Sequence, residues 1–241
     1  RQSQNHYLSQ GRMRMKAPWP VCFCFGDSLT QRGWDDEGHW LGSLSFHFQR
    51  RADFLNRGFS GYNTKLCLPL LKQLFMNPED LKNCALFTIW LGANDASLAE
   101  QKVELPEYRN NLSQMITYLS SDLGLSSERI VLINPPPIDE TKEDPDKPKI
   151  RTLENTRLYA KACIEVAKAN GVECVDMFNA LLNQEDWQSY LIDGLHFCRK
   201  GSNFVTERLI PVVESRLSPC AMIFPHWVEA LKLDLRKPIP W

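Results

Sequence analysis

The sequence predicts an α/β fold: a flavodoxin-like three-layer α/β/α sandwich with a central five-stranded parallel sheet. Two observations carry this prediction. Short apolar, β-branched or aromatic runs recur along the 241 residues. Each run is followed by a Gly-containing or polar turn and then an amphipathic stretch, the alternation of a parallel sheet. With 43% hydrophobic and 24% charged residues, the chain has apolar material for one large core. Right-handed crossovers then put helices on both faces of the sheet.

The elements follow in order. The run "PVCFCF" predicts a first strand at residues 20–25, stopped by Gly26 and followed by "GDSL". A helical pattern spans 39–51, a second strand 54–57, a helix 63–75 and a third strand 85–91. The helix predicted at 106–123 is the best marked: Pro106 suits a first turn, Leu112, Met115, Ile116 and Leu119 share a face, and Gly124 supplies the stop. A fourth strand at 130–134 leads into a polar, Pro-rich loop at 135–149, either solvated or covering a site. A helix at 152–170, a fifth strand at 172–176 and a final helix at 201–217 complete the pattern. One domain is therefore expected at 20–218, preceded by an N-terminal tail, 1–19. The segment 219–241 is too aromatic for a free terminus, so it is expected to dock on the domain or on a second subunit, as a route to a homo-oligomer.

Composition removes several function classes. Lys plus Arg number 28 against 29 Asp plus Glu, with no dense basic stripe, so neither nucleic acid nor an anionic membrane is an expected partner. No apolar run approaches the roughly 20 residues that span a bilayer. Residues 1–16 lack the apolar centre of a signal peptide, and a cytoplasmic location is expected. The eight Cys stand singly, mostly in apolar runs and never as C-x-x-C, which reads as buried thiols of a reduced compartment.

The chemistry collects at strand ends. "GDSL" follows the first strand, "NRGFSGYNT" the second and "WLGANDA" the third, and the carboxyl ends of parallel strands lie on one edge. "LIDGLHF" precedes the last helix. Ser28 either caps the next helix or acts as a nucleophile. A serine hydroxyl needs a base, and the base needs a partner that fixes its tautomer. Asp193 and His196, three apart in one short loop, fit those two parts. Alone they also fit helix capping, and only beside Ser28 do they read as chemistry. An oxyanion would need donors: the backbone N–H groups of Ser28 and Gly61 and the side-chain amide of Asn94 are the candidates. Gly and Asn at the last two positions equally suit ordinary turns. Leu29 and Trp40 are the nearby apolar residues expected to line a modest acyl pocket.

Taken in order, "FGDSLT", "NRGFSGYNT", "LGANDA" and "DGLHF" resemble the four blocks of the GDSL, or SGNH, hydrolase family. "LNRGFSGYNT", "GANDA", "PPPIDE" and "YLIDGLHF" are most similar to its isoamyl acetate-hydrolysing esterase subgroup, over about residues 21–216. The resemblance implies a serine esterase acting on short-chain acyl esters, with Ser28 as nucleophile and first oxyanion donor. Gly61 and Asn94 would be the other donors, and His196 the base oriented by Asp193. Substrate and water would be the only partners, with no cofactor or metal. Because the base must be neutral, kcat/KM is expected to fall at acid pH. The sequence departs from the subgroup at "DDEGHWLGSLS", where His39 and Trp40 replace a Gly-Gly-Trp-like segment.

Two other classes compete. Asp27, Asn94, Asp95 and His196 could ligate divalent ions in a metal-dependent phosphoesterase. A catalytically silent binding protein on the same fold is the second. The α/β-hydrolase elbow G-x-S-x-G is not matched, because "GFSGY" has its second Gly one place early.

Overall fold

The structure is a computed structural model that describes residues 19–37, 39–142, 146, 149–217 and 226–234. These residues form a five-stranded, all-parallel sheet in the order β2-β1-β3-β4-β5. Its strands are β1 Val21–Gly26, β2 Asp53–Gly58, β3 Cys84–Trp90, β4 Ile130–Ile133 and β5 Glu173–Val175. This is the flavodoxin-like order. Its switch point, where the chain leaves β1 to opposite sides, lies between β1 and β3.

The helices are α1 Ser28–Gln31, α2 Trp40–His47, α3 Thr64–Leu74, α4 Leu105–Thr117, α5 Leu153–Ala169, α6 Met177–Leu182, α7 Arg199–Leu217 and α8 Trp227–Ala230. Strand side chains alternate between faces. Phe23, Phe25, Phe87 and Ile89 therefore meet α3, α4 and α5 in one core layer, while Cys22, Cys24, Leu86 and Trp90 meet α2, α6 and α7 in the other. Both faces are covered, which is why the strands read as continuous apolar runs. Truncating a ring such as Phe87, fully buried between Phe23 and Phe75, would cost about 3–5 kcal/mol.

Several element ends differ from expectation. The first predicted helix stops at His47, and the chain then turns through Arg50 at φ 61°. Helix α4 passes into a π-helical turn at Tyr118–Asp122 before Gly124, at φ 69°, ends it. Helix α7 begins two residues early, at Arg199. Helices α1 and α6 have four and six residues, too few to display a 3.6-residue period.

Two irregular segments were left open by the sequence. The loop after β4 is not simply solvated: residues 135–139 are buried and a 3-10 turn follows at Glu140–Lys142. It braces another loop, through Asp139 N–H to Gly194 O at 2.8 Å and Lys142 Nζ to Leu191 O at 2.5 Å. In the described part of the C-terminal segment, 226–234, Trp227 is 65% and Leu231 76% exposed on this single chain. The rest of the expected docking segment, and the N-terminal tail up to residue 18, lie outside the described residues. No helix among the described residues is long and apolar enough to cross a membrane. The described cysteines are free thiols; Cys22, Cys24, Cys67, Cys84 and Cys163 are buried.

Candidate active site

The site begins where β1 ends. Asp27 turns the chain out of the sheet and caps α1, accepting the Leu29 N–H at 2.9 Å, so that Ser28 is the first residue of that helix. Gly26 lies opposite Gly58 and Trp90 in the neighbouring strands. Only glycine fits there: a Cβ on Gly26 would lie 2.5 Å from Trp90 O, and one on Gly58 would lie 2.0 Å from Gln31 N. These close approaches set α1 directly over the strand ends.

Ser28 Oγ lies 2.8 Å from His196 Nε2, although 168 residues separate them in the chain. His196 Nδ1 lies 2.7 Å from Asp193 Oδ2. The loop between is held shut by the antiparallel bridge of Leu191 with Phe197 and by Ile192 N–H to His196 O at 2.8 Å. Asp193 Oδ1 accepts the N–H groups of Leu195 and His196, and Phe197 packs on Trp90 at 5.8 Å between ring centroids. Gly194, at φ 91°, lets the loop pass under Asp139 O.

This geometry decides the tautomer. Burial works against the Asp193 charge, but the hydrogen bonds from the His196 ring and from the His196 and Leu195 N–H groups outweigh it. They hold the carboxyl well below the usual range. An ionised carboxylate only accepts, so Nδ1 carries the proton and Nε2 faces Ser28 as an acceptor.

The other predicted residues gather beside Ser28. Asn94 is 3% exposed; its Nδ2 donates to Tyr62 O at 2.8 Å, and its Oδ1 accepts from Arg151 Nη2 at 2.9 Å. Gly61, at φ 81°, gives its carbonyl to Gln101 Nε2 at 2.7 Å. Among the described residues no acceptor takes the N–H of Ser28 or of Gly61. Leu29 and Trp40 are 2% and 1% exposed, and Trp40 Nε1 donates to Leu29 O at 2.9 Å. With Arg32, His196 and Phe197 they line a small pocket of about 10 Å³.

The four residues weighed as metal ligands do not assemble as a ligand set. Both ring nitrogens of His196 are engaged, and Asp27 and Asp95 are fully buried, each with Oδ1 in a hydrogen bond. Among the described residues no three His, Cys, Asp or Glu side chains come together as a metal site.

Asp27 and Asp95 have a different consequence. Each leaves a buried Oδ2 without a hydrogen bond. Burial pushes the Asp27 carboxyl up to about 7, with the Asp95 charge adding to the rise, and pushes Asp95 up to about 6. The folded chain binds these protons more tightly than the unfolded chain. The stability they contribute is complete below about pH 4 and is lost as pH rises through 6 to 7. Asp27→Asn keeps an acceptor for Leu29 N–H and cannot ionise. We expect it to flatten the fall in Tm between pH 5 and 8, a gain on the order of a few kcal/mol at pH 8. Thermal scans across that range test it; a slope as steep as wild type would refute the assignment.

Sequence reasoning missed Arg151, Gln101, Tyr62 and the brace from residues 139–142. Tyr62 and Asp139 fall inside the blocks "NRGFSGYNT" and "PPPIDE" without standing out there, and the partners of Arg151 and Lys142 come from 49 to 58 residues away.

A doubly wound parallel sheet that carries a hydroxyl, an imidazole and a carboxylate in hydrogen-bonded sequence on loops at its carboxyl rim defines a class of ester hydrolase. The chain belongs to the GDSL-like Lipase/Acylhydrolase family, whose sequence pattern matches residues 24–203. It is 36% identical over 219 residues to the human (Homo sapiens) isoamyl acetate-hydrolyzing esterase 1 homolog, covering 87% of each chain. A GDSL esterase/lipase of Arabidopsis thaliana is 37% identical over 202 residues, 78% of this chain and 83% of its own. The fold matches the crystal structure of a lipase/acylhydrolase from Enterococcus faecalis with a TM-score of 0.68 at 24% identity, covering 86% of this chain and 100% of the other. The protein is thus a carboxylic ester hydrolase.

Proposed function

We propose that this enzyme hydrolyses short-chain carboxylic esters, acetate esters foremost, through an acyl-enzyme on Ser28. The observation that carries the reading is the unbroken relay from Ser28 Oγ to His196 Nε2 at 2.8 Å and from His196 Nδ1 to Asp193 at 2.7 Å. In this cycle Ser28 Oγ attacks the ester carbonyl carbon as its proton passes to His196 Nε2. The tetrahedral oxyanion takes hydrogen bonds from the Ser28 and Gly61 N–H groups and from Asn94 Nδ2, each worth about 3–4 kcal/mol of barrier. Collapse breaks the bond to the alcohol, which leaves with the proton from His196. Water then attacks the acyl-enzyme with the same base, releasing the acid and restoring Ser28.

Two findings support a short acyl group. The pocket beside His196 has only about 10 Å³ of room, about enough for one water-sized sphere and far below the roughly 300–1,000 Å³ of sites for drug-sized ligands. Its wall of Leu29, Trp40 and Phe197 is nearly fully buried, so enlarging it would disturb the core. The human relative's name specifies isoamyl acetate hydrolysis.

A series of p-nitrophenyl esters from two to sixteen carbons tests this. We expect kcat/KM to be highest at two to four carbons and at least about tenfold lower by eight, each poorly placed methylene being worth about 1–3 kcal/mol. A profile rising toward long chains would overturn the size assignment. A fluorophosphonate that leaves Ser28 unlabelled in folded protein would overturn the acyl-enzyme itself.

A further inference from the structure

The hydrogen bonds around Asn94 form a closed frame that the relay does not use. The Arg151 guanidinium donates in three directions: Nε to Ala93 O at 3.1 Å, and Nη2 to Asn94 Oδ1 at 2.9 Å and Gln101 Oε1 at 3.0 Å. Gln101 turns its other end, Nε2, to Gly61 O at 2.7 Å, and its backbone carbonyl accepts from Asn63 Nδ2 at 2.9 Å. Asn94 Nδ2 closes the frame on Tyr62 O at 2.8 Å. The loop after β2 and the loop after β3 are thereby joined through one cation at the start of α5.

The chemistry of the amide makes this frame specific. Guanidinium only donates and a backbone carbonyl only accepts, so Arg151 and Tyr62 together forbid the flipped orientation of the Asn94 amide. Of the two N–H bonds on Nδ2, one is spent on Tyr62 O and one remains. A cation bonded to the amide oxygen also polarises the remaining N–H, strengthening it as a donor. Gln101 fixes Gly61 as well: its Nε2 lies 3.4 Å from where a Cβ on Gly61 would stand, and Gly61 holds φ 81°.

We propose that Arg151, braced by Gln101, is the positioning residue of the oxyanion hole. It orients the Asn94 amide directly and the Gly61 backbone through Gln101. This rests on the reading above that Asn94 and Gly61 donate to the oxyanion. Arg151 touches no reacting atom, so its loss acts on the transition state and leaves ground-state binding in place.

The test is a double-mutant cycle on the full chain with p-nitrophenyl acetate: wild type, R151M, N94A and R151M/N94A, with Tm measured for each. R151M is expected to lower kcat about tenfold or more, since misplacing a reacting group slightly can cost up to about 100-fold, with KM changing less than about twofold. In the N94A background R151M is expected to add less than about twofold. Millimolar methylguanidinium is expected to restore activity to R151A several-fold and to leave R151A/N94A unchanged. If N94A loses activity and folded R151M does not, the positioning role alone falls. It also falls if the two losses multiply in the double variant. If N94A keeps wild-type kcat, the oxyanion reading falls and takes this inference with it. Should R151M fail to fold, Q101L carries the test: kcat is expected to drop with KM held, and wild-type kcat in Q101L overturns the proposal.

Discussion

Replacing Ser28 by alanine is expected to lower kcat on p-nitrophenyl acetate by about four orders of magnitude or more while the fold persists. The fold is expected to survive because the hydroxyl does little else. Asp27, not Ser28, caps α1, and Ser28 Oγ bonds only to His196 among the described residues. Loss of one partly buried hydrogen bond is worth about 1 kcal/mol, a small shift in Tm for a chain of this size. Rapid-mixing kinetics should show the burst of p-nitrophenol disappear, and fluorophosphonate should no longer label the protein. Turnover within tenfold of wild type in folded S28A would remove the acyl-enzyme from the mechanism.

The second large effect is expected at Asp193. Asn in its place still accepts the N–H groups of Leu195 and His196 through its carbonyl, so the loop is expected to keep its shape. Its amide, however, donates toward His196 Nδ1. That draws the ring into the opposite tautomer, with the proton on Nε2, where it can no longer accept from Ser28. A fully buried carboxylate in this role is worth about 10⁴ in kcat. The Asp193 side chain is 48% exposed, so water can take up part of its work, and about a 10³-fold loss in kcat with little change in KM is expected. A variant with intact kcat and raised KM would assign Asp193 to substrate binding instead.

The parts of the candidate site differ in how they show in the sequence. Ser28, Gly61, Asn94, Asp193 and His196 each sit in a compact block where an unusual residue type follows a strand or precedes a helix, and such local signals survive in one dimension. Arg151 carries no such mark: it is one Arg among the residues before a helix, and its hydrogen bonds go to three acceptors 50 to 58 residues away. The carboxyl pair was visible only as Asp27 and Asp95, potential ligands. Their complete burial, which raises both toward neutral pH, is a property of the packed layers around them.

By itself the sequence determined the alternation of strands and helices, the parallel sheet this alternation demands, and the rim on which its small polar residues emerge. These follow from side-chain period, turn chemistry and the handedness of crossovers, all short-range or universal. Only the tertiary structure decided which way the Asn94 amide faces, which nitrogen of His196 meets Ser28, how little room stands beside them, and which buried acids hold their protons. Each depends on groups remote in the chain meeting within hydrogen-bond distance or losing water together, and neither event leaves a local trace in the order of residues.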